Sequence, residues 1–306
     1  PLLKRKKAGQ EILEYVKEHS YKSGTPTMGG IAIILAMLTA ALIFGKGKFV
    51  YITLAVAFAY GVTGFLDDSI KIRYKRNLGL RPYQKIILQL SIALIVAFVV
   101  YKNELIRGDV YIPFTKNTVS LGWGVIPLVV FIFIATTNSV NLTDGLDGLA
   151  ASTTLVYMAG IAAIIAIVAA DADKNGLSLY VKEYQGLLTV CFATVGSLAG
   201  FLLFNCFPAK IFMGDVGSLA LGGVVACVSI LGRLSLYIPI LGVMFATSAV
   251  SDIIQVVHYK RTKRRVFLMA PFHHHLQKKG LSETRIGFLY STITGIVALI
   301  CVLTLI

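Results

Sequence analysis

Long apolar runs broken by short polar segments dominate the chain. Nine of them approach the roughly 20 helical residues that a bilayer core of about 30 Å requires, near 28–44, 49–66, 86–101, 122–138, 149–170, 186–204, 215–232, 236–256 and 286–306. The pattern predicts an all-α polytopic membrane protein, read as one integral membrane domain over 1–306. Ahead of the first run, 11–19 alternates apolar Ile12, Leu13 and Val16 with Glu14, Lys17 and Glu18, the pattern of a surface helix lying along a membrane. Between two runs, DVYIPFTKNTVSLG at 109–122 has the β-branched and aromatic content of a small hairpin.

Composition supports this reading: 56% of the residues are hydrophobic and only 14% charged, with a mean hydropathy of +0.77. The net charge of +14 is confined to short loops between apolar runs, which points to anionic lipid rather than nucleic acid as the partner. If the N-terminus is cytoplasmic, the loops on that side hold 21 of the 29 Lys and Arg residues and the opposite loops 8. The positive-inside rule therefore places 67–85, 139–148, 205–214 and 257–285 in the cytoplasm, the C-terminus outside and the hairpin on the extracytoplasmic face. An odd number of spans and an opening Pro-Leu-Leu before Lys4 lead to the expectation that one earlier span is missing. Cys191, Cys206, Cys227 and Cys301 form no CxxC pair, so neither a disulfide framework nor a zinc site is expected.

Acidic residues near membrane spans are costly and need a partner or a function. Asp67, Asp68, Asp144, Asp147, Asp215 and Asp252 all map to the cytoplasmic ends of different runs. In FLDDSIK, Lys71 follows Asp67 by four residues and Asp68 by three, so the three share a face if the helix continues. Two adjacent carboxylates suit a divalent cation or a proton-accepting role better than a bare helix end, which the dipole would rather supply with basic residues. NSVNLTDGLDG at 138–148 spaces Asn141, Asp144 and Asp147 by three, without any Lys or Arg, as a hydrogen-bonding pocket for a polar substrate would. Asp215 opens the next run after Gly214, where it caps a helix or holds a magnesium ion bridging a diphosphate, with Phe212 beside it as packing or as a platform for a base. Lys22, Lys71, Lys85 and the run His273, His274, His275 supply the cations that a multiply anionic ligand needs. The triplet is internal, so it is no terminal tag, and consecutive positions point in different directions, which argues against three ligands on one metal. The chain has no GxxxxGK[ST], GxGxxG or HExxH motif.

FLDDSIK, NLTDGLDGLA, FMGDVGSLALGG, GTPTMGG and APFHHHLQKKG together resemble the polyprenyl-phosphate N-acetylhexosamine-1-phosphate transferases, and the histidine run and GTPTMGG resemble the phospho-N-acetylmuramoyl-pentapeptide transferase branch. The resemblance covers essentially the whole chain. It implies transfer of phospho-MurNAc-pentapeptide from UDP-MurNAc-pentapeptide to undecaprenyl phosphate, giving lipid I and UMP, with Mg²⁺, by a homodimer in the bacterial plasma membrane whose active site faces the cytoplasm. It also implies ten transmembrane helices, one more than this chain shows. By motif, Asp215 corresponds to the magnesium-binding aspartate and Asp67 and Asp68 to the pair that serves the polyprenyl phosphate and catalysis. Asn141, Asp144, Asp147, Asn205 and Phe212 correspond to the nucleoside pocket; Lys22, Thr27 and Gln255 to the nucleotide-sugar site; His274 and His275 to positions near the diphosphate. Direct attack by the lipid phosphate and a two-step route through an attacking aspartate use the same residues. Two other readings stand: a UDP-GlcNAc polyprenyl-phosphate GlcNAc-1-phosphate transferase and, from another class, an ion-coupled transporter with carboxylates at helix ends.

Overall fold

The computed structural model describes residues 24–74 and 78–306, and these are mainly helical. The elements are α1 (Gly30–Phe44), α2 (Lys48–Tyr74), α3 (Pro82–Lys102), β1 (Asp109–Tyr111), β2 (Thr118–Ser120), α4 (Val125–Thr143), α5 (Leu149–Lys174), α6 (Ser178–Asn205), α7 (Gly214–Leu231), α8 (Ile238–Leu241), α9 (Val243–Thr262), α10 (Phe272–Lys278) and α11 (Glu283–Leu303). The expected surface helix at 11–19 and Lys22 lie outside the described residues.

Among the described residues, seven helices are long and apolar enough to cross a membrane: α2 to α7 and α11. The count differs from the nine expected for two local reasons. The run at 236–256 is not one straight span, because Ser235–Leu241 and Val243–Thr262 meet at an angle of 77° around Gly242. The first run closes into α1, a helix of 15 residues that rises about 22 Å, less than the bilayer core. Its N-terminal approach, 24–29, is instead bonded to 212–213: the Phe212 amide donates to Pro26 O at 2.8 Å, and the Gly29 and Gly30 amides donate to Phe212 O and Met213 O.

α7 is the central helix, and every residue from Val216 to Leu231 is buried. Its small residues allow neighbouring backbones to come close, the usual device for helix packing where lipid gives no hydrophobic drive. A Cβ on Gly217 would come within 2.7 Å of Gly30 Cα, and one on Gly222 within 2.6 Å of Thr137 Cα. Across the α2 contact, a Cβ on Gly64 would stand 2.1 Å from Asp215 O. That approach brings the acidic end of α2 beside the first turn of α7. The helix α2 continues past the expected boundary at 66 to Tyr74, so Asp67, Asp68 and Lys71 do share one helical face.

The expected hairpin is present, with Asp109 opposite Ser120 in an antiparallel pair. Arg233, after α7, ties it down: its guanidinium pairs with Asp109 and lies over the rings of Tyr111 and Tyr180, while its carbonyl accepts from the Tyr111 amide at 2.8 Å. The hairpin therefore sits at the end of the bundle opposite the N-terminus of α7.

The α2–α7 contact sets a test. Replacing Gly64 with Val should lower stability by about 1–3 kcal/mol, because packed backbone must move to admit the side chain. Gly200→Ala, where a Cβ meets open space inside a helix, should cost no stability. Thermal unfolding in detergent reads both, and a Gly64→Val protein that melts like the wild type would contradict the packing.

Candidate active site

Three carboxylates from two helices meet at one end of the bundle. Asp67, Asp68 and Asp215 each offer an oxygen, and these oxygens lie within 4.8 Å of one another. Backbone amides hold two of the three: Asp67 Oδ1 accepts from Leu80 N at 2.8 Å, and Asp68 Oδ2 accepts from Val216 N at 3.1 Å. Gly214, at φ +74°, passes so close that a Cβ would lie 2.5 Å from Asp68 Oδ2 and 2.9 Å from the buried hydroxyl of Thr27, which has no partner among the described residues. Glycine is needed there both for the left-handed backbone and for the space.

Two lysines balance the cluster. Lys71 Nζ lies 2.6 Å from Asp67 Oδ2, 3.6 Å from Asp68 Oδ1 and 3.0 Å from Asp215 Oδ2. Lys85 Nζ lies 2.9 Å from Asp215 Oδ2 and 3.3 Å from Asn141 Oδ1. Asn141 completes the circuit, its amide nitrogen donating at 2.8 Å to Asp215 Oδ1 and at 2.8 Å to Ser218 Oγ. Hard carboxylate oxygens at this spacing suit Mg²⁺ or Ca²⁺, and their number and type do not suit zinc or copper.

The loop at 144–148 forms another wall. Burial, together with the charges of Asp215, Asp68 and Asp147, pushes the Asp144 carboxyl well above the usual carboxylate range. Asp147 and Asn205 are buried and bonded to backbone: Asp147 Oδ2 accepts from Ala209 N, while Asn205 accepts from Gly148 N and donates to Ile211 O. They join the 144–148 loop to the segment that carries Phe212, which is half-buried.

The histidine run forms α10, and its three rings do separate things. His273 is fully buried between Tyr290, His274 and Gly145, and neither ring nitrogen has a hydrogen-bond partner among the described residues. A Cβ on Gly145 would stand 2.4 Å from His273 Nε2 and 3.2 Å from His274 Nε2, so α10 packs directly on the 144–148 loop. His274 Nδ1 lies 3.2 Å from Gln277 Oε1. His275 Nδ1 accepts from Leu268 N at 3.1 Å, and its ring stacks on Phe272. Gln255 reaches from α9 to the same loop, accepting from Val266 N and Phe267 N and donating to Phe267 O. The structure thus joins Lys71, Lys85, Asn141 and Ser218 to the carboxylates and puts the histidines one loop away. Gln255 holds the 264–268 segment, and Asp252 lies outside the acidic cluster.

The motif reading missed a supporting pair. Gln89 and Asn138 bond to each other, Asn138 Nδ2 to Gln89 Oε1 at 2.7 Å, one turn into the bundle from Lys85 and Asn141. Polar side chains inside two apolar runs, four and three residues from the site residues, were the available signal. Glu283 is another, a buried carboxylate that accepts from the Asp147 amide at 3.0 Å. The other end of the bundle has a cavity of about 250 Å³ lined by Lys116, Asp171, Lys174 and apolar residues, far from any of these groups.

The model of glycosyl transferase family 4 matches residues 49–233, and the phospho-N-acetylmuramoyl-pentapeptide-transferase signature 1 matches 22–34. Proteins named phospho-N-acetylmuramoyl-pentapeptide-transferase align along the chain. The Clostridium novyi (strain NT) protein is 42% identical over 100% of this chain and 91% of its own length. The chain belongs to this family. The Clostridioides difficile (strain 630) member is 41% identical over 99% of the chain and 91% of its own length, and the Bacillus mycoides (strain KBAB4) member 45% identical over 94% and 86%. Family membership and the seven long apolar helices together make this a multi-pass bacterial membrane protein.

The buried triplet histidine has a pH signature. Burial, then the neighbouring His274, holds the His273 imidazole well below its ordinary value, so the folded protein refuses a proton that the unfolded chain accepts near pH 6.5. The stability this contributes is complete above pH 6.5 and is lost as pH falls below it. Melting curves from pH 8 to 5.5 should show wild type losing about 1 kcal/mol more than His273→Gln by pH 5.5. Identical pH profiles would contradict a neutral, buried His273.

Proposed function

We propose that this chain transfers phospho-MurNAc-pentapeptide from UDP-MurNAc-pentapeptide to undecaprenyl phosphate, releasing UMP and forming lipid I, the first membrane step of peptidoglycan synthesis. The observation that carries the reading is the Asp67, Asp68, Asp215 cluster with Lys71 and Lys85 at one end of an apolar helical bundle, in a chain of this family. A lipid acceptor and a water-soluble diphosphate donor can meet only where a membrane bundle opens to water. The chain acts as one transferase unit, as a homodimer in the plasma membrane. Its active end faces the cytoplasm, an orientation supported by the excess of Lys and Arg in the loops at that end.

The donor set of the three aspartates fits Mg²⁺, with Asp215 as its principal ligand. Bound there, a divalent ion would supply Lewis-acid charge at the diphosphate. The rest of the chemistry belongs to the chain. An oxygen of the lipid phosphate attacks the sugar-linked phosphorus, a new P–O bond forms, and the bond to UMP breaks with its electrons leaving on the UMP phosphate. The acceptor is a phosphate monoester with its second pKa near 6, already largely dianionic at neutral pH, so Asp67 and Asp68 serve mainly to position it. Lys85 and Lys71 stabilise charge on the transferred phosphoryl group and the leaving phosphate. Asn141 orients Asp215 and Lys85 against each other. Phe212, Asn205, Asp144 and Asp147 shape the nucleoside side, with Thr27, Lys22 and Gln255 toward the nucleotide sugar and His274 and His275 toward the diphosphate, whereas His273, expected among the ligand's cations, is buried under the 144–148 loop and supports it.

Purified protein in lipid, given Mg²⁺ and undecaprenyl phosphate, should release UMP and form lipid-linked product from UDP-MurNAc-pentapeptide and not from UDP-GlcNAc. Asp215→Asn should lower turnover at least about 100-fold, the scale on which removing one electrostatic partner of a transition state acts. Product from UDP-GlcNAc alone would assign the chain to GlcNAc-1-phosphate transfer instead, and ion-coupled uptake into sealed vesicles without UMP would replace both by transport.

A further inference from the structure

Lys71 sits where a cation liganded by all three aspartates would sit. Its ammonium is 2.6, 3.0 and 3.6 Å from oxygens of Asp67, Asp215 and Asp68, and those carboxylates lie within 4.8 Å of one another. Lys85 differs: in the cluster it pairs with Asp215 alone, on the same Oδ2 that Lys71 contacts, and reaches Asn141. A magnesium ion takes oxygen ligands at about 2.0–2.1 Å. It could not take up the three carboxylate oxygens while the ammonium stays in contact with them, because the two cations would share one small volume and repel.

We propose that Lys71 is an internal counter-cation for the triad, which the divalent ion displaces, and that the displaced ammonium then turns to the diphosphate of the incoming nucleotide substrate. The proposal rests on the reading of the triad as the ion site. Before the ion binds, Lys71 keeps three close carboxylates from repelling one another and preserves their spacing. Once the ion takes over that role, Lys71 is left with a strongly hydrated charge on a flexible four-carbon stem. Its side chain is already 20% exposed, at the last turn of α2, so it can swing without unpacking the helix. The diphosphate supplies the negative charge that the triad no longer offers it. One lysine thereby couples ion binding to substrate binding: the ion frees the group that the substrate needs.

Competition has a measurable sign. The five groups Asp67, Asp68, Asp215, Lys71 and Lys85 carry a formal charge of −1, and −2 when Lys71 is neutral. Removing Lys71 should therefore tighten ion binding in the absence of any substrate, although an ordinary structural lysine would leave it unchanged or, by loosening the site, weaken it. The test is Mn²⁺ binding to purified, substrate-free wild type, Lys71→Met, Lys85→Met and Asp215→Asn, read by electron paramagnetic resonance with thermal melting as the check on folding. Lys71→Met should bind Mn²⁺ about ten-fold more tightly or better, with a smaller gain for Lys85→Met. Its binding of UDP-MurNAc-pentapeptide in the presence of Mn²⁺ should weaken. Unchanged or weaker Mn²⁺ affinity in a folded Lys71→Met protein overturns the proposal. If that variant does not fold, Lys71→Gln is judged by the same outcomes. Loss of Mn²⁺ binding in Asp215→Asn with no gain in Lys71→Met leaves the ion site standing and removes only the displacement. Mn²⁺ binding that is absent from wild type, or indifferent to Asp215→Asn, removes both.

Discussion

Three carboxylates within 4.8 Å of one another repel, and the architecture around them answers that repulsion. Close packing of α2 on α7 forces Asp67, Asp68 and Asp215 together at Gly64 and Gly214, positions where no side chain fits. Backbone amides of Leu80 and Val216 and the two lysines then supply the positive ends that offset this repulsion and hold the carboxylates in register. The bundle beyond serves this junction. A helix buried along its whole length, as α7 is from Val216 to Leu231, gives a rigid axis that a loop could not.

Around the junction, residues divide between those that face it and those that hold its walls. Lys71, Lys85 and Asn141 touch the carboxylates. Asp147, Asn205, Glu283 and Gln255 use their polar atoms on backbone amides and carbonyls of the loops that carry Phe212, Asp144 and the histidines. Buried polar groups of this second kind cost little when fully paired and fix loop conformation closely. A substrate pocket made of loops needs them, because loops alone give imprecise sites.

The pattern of apolar runs made most of the bundle legible, and so did the hairpin at 109–122. The boundary of α2 was less visible: FLDDSIK looks like a helix end because charges begin there, but the helix continues while its charged face is buried against α7 and Lys71. The break at Gly242 was hidden because Pro239 and Gly242 sit inside a run whose average hydropathy still reads as one span. At the site, spacing alone put Lys71 beside Asp67 and Asp68. The meeting of Asp215 with Lys85, 130 residues apart, is a property of the tertiary fold; in the sequence Lys85 stood only among the cations that a multiply anionic ligand needs. The distinct fates of His273, His274 and His275 were foreshadowed by their adjacency, since neighbouring helical positions diverge. Which one would be buried depended on Gly145 and Tyr290, contributed from elsewhere.

The proposed phosphoryl transfer at the carboxylate–lysine end of the bundle requires the donor diphosphate to bind there. The most direct measurement is an electron cryomicroscopy structure of Asp67→Asn protein in lipid with UDP-MurNAc-pentapeptide and Mg²⁺. The diphosphate should lie within hydrogen-bonding distance of Lys85, with the uracil toward Phe212. A nucleotide seated elsewhere, for example in the cavity beside Lys116 and Lys174 at the opposite end, would contradict it.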